Sequence, residues 1–241
     1  MILQNLSRYI LISLFIVTFS NLSAANVHIH NESVTFEREV QSWDELKDTN
    51  LTRQKYDYSC GAASLSTILS YYYGISTSEK EILDFLLESK GIDVNLKTQI
   101  EFDEDLRDKA HLSFLDLAHY AQHKGFRAMG LALDLPTLST LKAPVIIYVN
   151  VRDVEHFSVY KGIDEHYVYL ADPSFGNIKV SIAKFIEMFY KREDLSYPGK
   201  ILAILPSNAG EEVNEAFMQR QNNTEFLYEI FKDRAVSPWD T

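Results

Sequence analysis

Apolar residues in the first half of the chain recur at the spacing of helices, and those in the second half at the spacing of strands. The clearest helical pattern follows residue 60, where four residues take the i, i+3, i+4 and i+7 positions of one buried face: Leu65, Ile68, Leu69 and Tyr72. Gly74 then supplies a helix stop. Two further helices are predicted over 78–89 and 113–124. The polar segment between them, 90–112, is weakly patterned, which is typical of a surface insertion or a flap over a site.

The strand patterns lie after residue 125. Val145 to Val149 is a continuous apolar run, rich in β-branched residues and too short for a helix, which predicts a central strand. Other strands are predicted over 126–133, 156–161, 166–172, 178–180 and 201–205, with one helix over 181–190. Because helices come first and an antiparallel sheet second, the predicted fold class is α+β.

The two ends of the chain differ from this domain pattern. Residues 1–25 are interpreted as a signal peptide, with Arg8 before a short apolar stretch and with Ser23 and Ala25 at the −3 and −1 positions of a cleavage site after Ala25. We therefore expect a periplasmic or secreted protein, close to a membrane only if the segment stays uncleaved. The predicted domain is 26–206, and residues 207–241 form a polar tail with a helical pattern.

Charge and cysteine content narrow the function classes. The formal net charge is −11 and no basic stripe is visible, which argues against a nucleic-acid partner. The chain has one cysteine, Cys60, so it cannot form an internal disulfide. An unpaired cysteine in an exported protein is a candidate reactive thiol.

Cys60 stands at the predicted start of the first helix. The partial positive charge of a helix N-terminus favours the thiolate, which is the nucleophilic form of cysteine. Gly61 is expected to leave the backbone beside the sulfur uncrowded, so that a substrate carbonyl can approach. The alternative interpretation is that Cys60 is a small buried apolar residue.

A thiolate enzyme also needs a base and a group that orients the base. Two histidines begin predicted strands in the sheet half, His156 and His166, and His166 abuts the hairpin turn, so His156 is the candidate base. If the hairpin turn is centred on Asp164, then Asp172 stands directly opposite His156, and directly opposed residues share a face. A bulge would shift this register, and ordinary polar edge residues are the alternative interpretation. Gln54 lies six residues before Cys60, and its side-chain amide is a candidate oxyanion donor beside the Cys60 N–H.

These residues carry a family resemblance. The pattern Gln-x5-Cys-Gly, followed by His-Phe and by Ala-Asp-Pro-Ser-x-Gly, resembles the C39 double-glycine peptidases of the papain-like superfamily, over roughly residues 50–205. By position, the resemblance implies Cys60 as nucleophile, His156 as base, Asp172 as its orienting residue and Gln54 as oxyanion donor. It implies a papain-like fold in which a helical half with Cys60 packs on an antiparallel sheet with His156 and Asp172.

The resemblance also implies a function. The expected activity is hydrolysis of peptide bonds in a peptide or protein substrate, after small residues such as Gly-Gly, without a cofactor. The best-known members are cytoplasm-facing domains of bacteriocin exporters. This sequence, with its predicted signal peptide and no nucleotide-binding motif, is more similar to the stand-alone exported branch.

Other functions are compatible with part of this pattern. A thiol amidase or acyltransferase acting on cell-wall peptides would use the same residues. A non-catalytic C39-like peptide-binding domain would be expected to lack the nucleophile. His119 and His123 have helical i, i+4 spacing, but no third ligand is evident, so no metal site is predicted. No G-x-S-x-G motif supports a serine hydrolase.

Overall fold

The computed structural model describes residues 25–31, 34–40, 43–152, 154–207 and 212–218. The chain divides into two compact units, residues 1–46 and 47–241. In the first unit, strands β1 (Ala25–Asn31) and β2 (Val34–Val40) form an antiparallel hairpin. The predicted signal peptide lies outside the described residues except for its last position, and the predicted domain boundaries stay predictions. Within the described ranges, no helix is long and apolar enough to cross a membrane.

Helices dominate the chain between residues 43 and 123. They are α1 (Trp43–Asp48), α2 (Cys60–Thr67), α3 (Glu79–Ser89), α4 (Lys97–Ile100), α5 (Glu104–Ala110) and α6 (Phe114–His123). A π-helical turn, Ile68–Tyr72, prolongs α2, and Gly74 follows with a φ of 70°, as the predicted stop requires. Ser78 and Ser113 cap α3 and α6, because their side-chain oxygens accept backbone N–H bonds.

A six-stranded sheet follows, in the order β3-β8-β4-β5-β6-β7, with every neighbouring pair antiparallel. Its strands are β3 (Phe126–Leu133), β4 (Val145–Val151), β5 (Val154–Ile163), β6 (Tyr167–Asp172), β7 (Gly176–Ser181) and β8 (Gly199–Pro206). Helices α7 (Leu135–Ser139) and α8 (Ile182–Phe189) connect its strands.

The central strand β4 is buried on both faces of the sheet. Successive side chains of a strand point to opposite faces, and in β4 Ile146 packs with the layer of α2, α3 and α6 while Ile147 packs with α8. This explains why 145–149 reads as a continuous apolar run rather than as an alternation. The predicted α+β class is confirmed, with the helical half that carries Cys60 packed on the antiparallel sheet that carries His156 and Asp172.

Two segments outside the main predicted elements contribute side chains to the core. Residues 90–112 form a 3₁₀ turn (Val94–Leu96), α4 and α5, and they insert widely spaced apolar side chains, such as Ile100 and Leu112, into the helical core. In the tail, Glu215–Met218 form a 3₁₀ turn whose Phe217 is only 1% exposed and packs against Tyr72. The pattern of 90–112 is weak because its core-facing apolar residues are widely spaced.

Candidate active site

Cys60 is the first residue of α2, as predicted. Ser59 precedes it at the N-cap position but does not cap the helix, because its hydroxyl instead contacts Tyr56 O (2.7 Å) and Glu79 Oε1 (2.5 Å). The first N–H groups of a helix have no intrahelical acceptor. The helix start therefore presents uncapped N–H groups and positive partial charge beside the Cys60 sulfur.

The environment of α2 differs from that of a surface helix. All residues of Cys60–Thr67 are buried, and Cys60 itself is 8% exposed. A Cβ added at Gly61 would lie 3.1 Å from the Phe157 ring and 3.3 Å from Leu117. The glycine thus allows close packing of α2 on β5 and α6. The predicted role of Gly61, an open approach for substrate, is replaced by this packing role.

His156 and Asp172 lie side by side. His156 Nε2 is 3.0 Å from Asp172 Oδ2, and the two residues are 9% and 3% exposed. The predicted contact is present, well within hydrogen-bond reach. With Nε2 bound to the carboxylate, Nδ1 is the ring nitrogen left for the Cys60 sulfur, which also forms a hydrogen bond with the His156 side chain.

The predicted register of the β5–β6 hairpin is wrong. Val159 stands opposite Ala171, and the register shifts at a bulge between Tyr160 and Gly162. If the Val159–Ala171 pairing is continued by one residue, Asp172 stands opposite Ser158, which is two residues from His156. The contact survives because side chains repeat every two residues along a strand, so His156 stays on the same face and meets Asp172 diagonally.

The electrostatics of this pair favour a charged imidazole. Burial by itself lowers the pKa of His156, but the hydrogen bond to Asp172 and then the contact with Cys60 outweigh it and raise that pKa from 6.5 to about 10. Burial acts to raise the pKa of Asp172, yet the His156 hydrogen bond and charge hold it below its usual value. The site therefore keeps an imidazolium and a carboxylate at neutral pH.

The turn after β6 holds the carboxylate in place. Asp172 Oδ1 accepts the N–H groups of Ser174 (2.9 Å) and Phe175 (3.0 Å), so its two oxygens are divided between the turn and the imidazole. Gly176 closes the turn with a φ of 90°, and a Cβ there would lie 2.8 Å from Lys47 O. Only glycine fits this position, which explains the glycine in the Ala-Asp-Pro-Ser-x-Gly pattern.

Gln54 is bound to the same turn. Its backbone N–H donates to Pro173 O (3.1 Å), its Oε1 accepts from the Ser174 hydroxyl (2.7 Å), and its Nε2 donates to Tyr56 O (3.1 Å). The segment 54–60, which carries Gln54 and Cys60, is therefore joined directly to the turn that follows Asp172. The roles predicted for these residues in catalysis stay predictions.

Residues 90–112 contact the chain at two places, one next to Cys60 and one next to His156. Tyr58, two residues before Cys60, donates its hydroxyl to Lys97 O (3.1 Å). At the other end of the segment, His111 Nε2 lies 3.7 Å from the carboxylate of Glu155, next to His156. The segment predicted as an insertion or flap is thus a packed border of the site.

Sequence reasoning missed two residues of this arrangement. Ser174 received no predicted role, although its place in the Ala-Asp-Pro-Ser-x-Gly motif was a usable signal. Glu79 is a buried carboxylate that accepts hydrogen bonds from Lys55 N (2.8 Å) and Ser59 Oγ. These two bonds hold the 54–60 segment in place. An acid at the first position of a helix gave no signal of that role, because acids are common there.

His119 and His123 both pack against the ring of Phe85, at centroid distances of 5.2 and 4.7 Å. Across the described part of the chain, no group of three or more His, Cys, Asp or Glu side chains could hold a metal ion. Their pairing with an aromatic ring accounts for the helical spacing of these two histidines.

Comparison with known proteins agrees with the geometry. The model of the peptidase C39 family matches residues 95–192, which include His156 and Asp172. Over these residues the chain is similar to the peptidase C39 family. The matched range begins after Gln54 and Cys60, so the case for those two residues rests on the motif and on the contacts described above.

Two curated relatives of this chain are described as probable functional amyloid protease FapD. The one from Pseudomonas fluorescens is 36% identical over 149 residues, covering 62% of this chain and 61% of the relative. The one from Pseudomonas aeruginosa is 32% identical over 148 residues, covering 61% and 60%. The chain thus spans about three fifths of their length. A similar solved structure is the peptidase domain of Streptococcus ComA, a bi-functional ABC transporter involved in a quorum sensing pathway, at 19% identity and a TM-score of 0.47, over 65% of this chain and 97% of that domain.

Proposed function

We propose that this protein is a cysteine peptidase that hydrolyses peptide bonds, with Cys60 as nucleophile. The observation that supports the proposal most strongly is the buried His156–Asp172 pair beside the chain's one thiol, with the pKa of His156 raised to about 10. A thiolate next to an imidazolium is the reactive pair of papain-like peptidases.

The reaction proceeds in two halves. The Cys60 thiolate attacks the carbonyl carbon of the scissile bond, and the oxyanion so formed accepts hydrogen bonds from the Cys60 N–H and from Gln54 Nε2. The C–N bond then breaks, and His156 gives its proton to the leaving amine, which leaves a thioester. Water attacks the thioester while His156 takes its proton, the C–S bond breaks, and the thiolate–imidazolium pair is restored. Asp172 keeps the imidazole oriented throughout.

The substrate proposal is narrower and rests on similarity. We propose an extended segment of an exported protein, cut after small residues such as Gly-Gly. The resemblance to the C39 double-glycine peptidases supports small residues before the cut. The similarity to two probable functional amyloid proteases makes an amyloid-forming protein a candidate substrate. The signal-like residues 1–25 support export to the periplasm or beyond the cell.

The first experiment measures Cys60 directly. Iodoacetamide should label it at neutral pH faster than a free small thiol, and a peptide library should be cleaved by the wild type but not by Cys60→Ala. His156→Ala should abolish both cleavage and fast labelling, whereas His166→Ala, an exposed histidine in the nearby hairpin turn, should leave both unchanged. Slow labelling, or cleavage that survives in Cys60→Ala, would contradict the proposal. Transfer of an acyl group to an amine without cleavage would favour an acyltransferase instead.

The second experiment addresses the oxyanion. Gln54→Ala should lower kcat by roughly 10²–10³-fold, the usual loss for one oxyanion donor, with a much smaller change in KM. Gln122→Ala, which changes an exposed glutamine of α6, is the matched control and should behave as wild type. An unchanged kcat in Gln54→Ala would remove Gln54 from the mechanism.

A further inference from the structure

Ser174 contacts both sides of the candidate active site. Its hydroxyl lies 2.7 Å from Gln54 Oε1, on the side of the predicted oxyanion donor. Its backbone N–H donates to Asp172 Oδ1 at 2.9 Å, on the side of the His156 partner. This serine of the Ala-Asp-Pro-Ser-x-Gly motif therefore joins two groups that are far apart in the chain.

The contacts of Gln54 determine which way its amide faces. The Tyr56 carbonyl can only accept a hydrogen bond, so the amide group 3.1 Å from it must be the NH₂ group. The amide oxygen then faces Ser174, whose hydroxyl must donate to it. Tyr56 O uses one N–H of Gln54, and the NH₂ group carries a second donor that can serve an oxyanion.

The position of Ser174 is itself held from several sides. Arg53 Nη2 donates to Ser174 O at 2.5 Å, and the neighbouring Pro173 O accepts the Gln54 backbone N–H at 3.1 Å. The glycine at 176, whose φ is 90°, fixes the end of the turn. Because the turn is anchored in this way, the Ser174 hydroxyl presents a donor at one place rather than over a range of directions.

We propose that Ser174 is a positioning residue, which holds the Gln54 amide with an N–H toward the oxyanion. This inference rests on the proposed peptidase function. An amide rotated by half a turn would direct its carbonyl oxygen at the developing negative charge, which would repel it. The Ser174 hydroxyl favours the productive orientation, and it does so from the same turn that holds Asp172 against His156.

The main variant is Ser174→Ala, which removes the hydroxyl and keeps the backbone N–H that Asp172 accepts. We expect kcat to fall about threefold to tenfold, the range for one lost hydrogen bond, with KM unchanged. Ser174→Thr keeps a hydroxyl and should recover most of the activity. The matched control is Ser196→Ala, since Ser196 N donates to Asp194 Oδ1 (3.0 Å) in a similar turn without contacting Gln54.

A double-mutant cycle separates positioning from general support of the fold. If Ser174 acts through Gln54, then adding Ser174→Ala to Gln54→Ala should lower kcat no further. A purely structural role would lower kcat by the same factor in both backgrounds. Ser174→Gly also lacks the hydroxyl and keeps the N–H, and it serves as the second variant if Ser174→Ala does not fold.

The outcomes are distinguishable. Wild-type cleavage that depends on Cys60, a reduced kcat in Ser174→Ala and no further loss in the double variant support the proposal. If the wild type cleaves and Ser174→Ala equals it, or if the effects multiply, only the role of Ser174 is overturned. If the wild type cleaves nothing through Cys60, the proposed function fails and the role of Ser174 fails with it.

Discussion

The charge of Asp172 should set the pKa of His156, and Asp172→Asn tests this directly. The variant keeps the shape and one acceptor oxygen but removes the negative charge. The side chains of His156 and Asp172 are 10% and 4% exposed, so water screens the pair little. Two unit charges about 4 Å apart attract by about 4 kcal/mol at an effective dielectric constant of about 20. At about 1.4 kcal/mol per pH unit, the pKa of His156 should fall by up to about 3 pH units from its value of about 10.

The assay is an NMR titration of protein labelled at its histidine rings, which follows the ring signal of His156 with pH. The chain has 7 histidines, and loss of one signal in His156→Ala assigns the resonance. Asp194→Asn is the matched control, because Asp194 accepts a turn N–H as Asp172 does but contacts no histidine. We expect it to leave the His156 titration unchanged.

The alkaline limb of peptidase activity should move with the titration, because the leaving amine needs the imidazolium proton. A folded Asp172→Asn protein in which the pKa of His156 moves by less than about half a pH unit would refute the reasoning. The raised pKa would then have to come from the Cys60 contact alone, and Cys60→Ala would show it.

Three further outcomes follow from the contacts. Folding raises the pKa of His156 from 6.5 to about 10. The stabilisation that this group contributes to the fold is therefore complete below about pH 6.5 and is lost as the pH rises toward 10. The free energy of unfolding, measured with urea, should fall over that range, and it should fall less in His156→Ala. Phe217→Ala should lower the free energy of unfolding by about 3–5 kcal/mol, since a fully buried ring leaves a cavity; a loss under about 1 kcal/mol in the same assay would mean that the tail segment is not docked. Glu79→Ala should cost about 1–3 kcal/mol because the Lys55 N–H loses its acceptor, and Glu79→Gln, which keeps an oxygen there, should cost less; equal losses would assign the effect to charge.

The sequence alone was enough to predict the elements with strong periodicity. The apolar face of 65–72 predicted a buried helix that begins at Cys60, and the run 145–149 predicted a central strand. The helix and the strand are confirmed because their signals lie in neighbouring residues. Residue types and spacing also predicted a nucleophile, a base, an orienting carboxylate and an amide donor, and these roles stay predictions.

The hairpin register shows where local reasoning ends. The bulge between Tyr160 and Gly162 changes the pairing, and nothing in the turn residues indicates it. His156 still meets Asp172 because the predicted and observed pairings differ by two residues at that end, which preserves the face of each side chain. A difference of one residue would have turned the imidazole away from the carboxylate.

Only the tertiary structure decided the contacts between distant segments. Gln54 and Ser174 lie 120 residues apart, and their hydrogen bond exists because the helical layer packs on the sheet with the 54–60 segment against the turn after β6. The burial of Phe217 and the border formed by residues 90–112 have the same origin. Periodicity records how a segment turns its own side chains, whereas these contacts depend on which surfaces meet when the layers pack, and no stretch of consecutive residues carries that information.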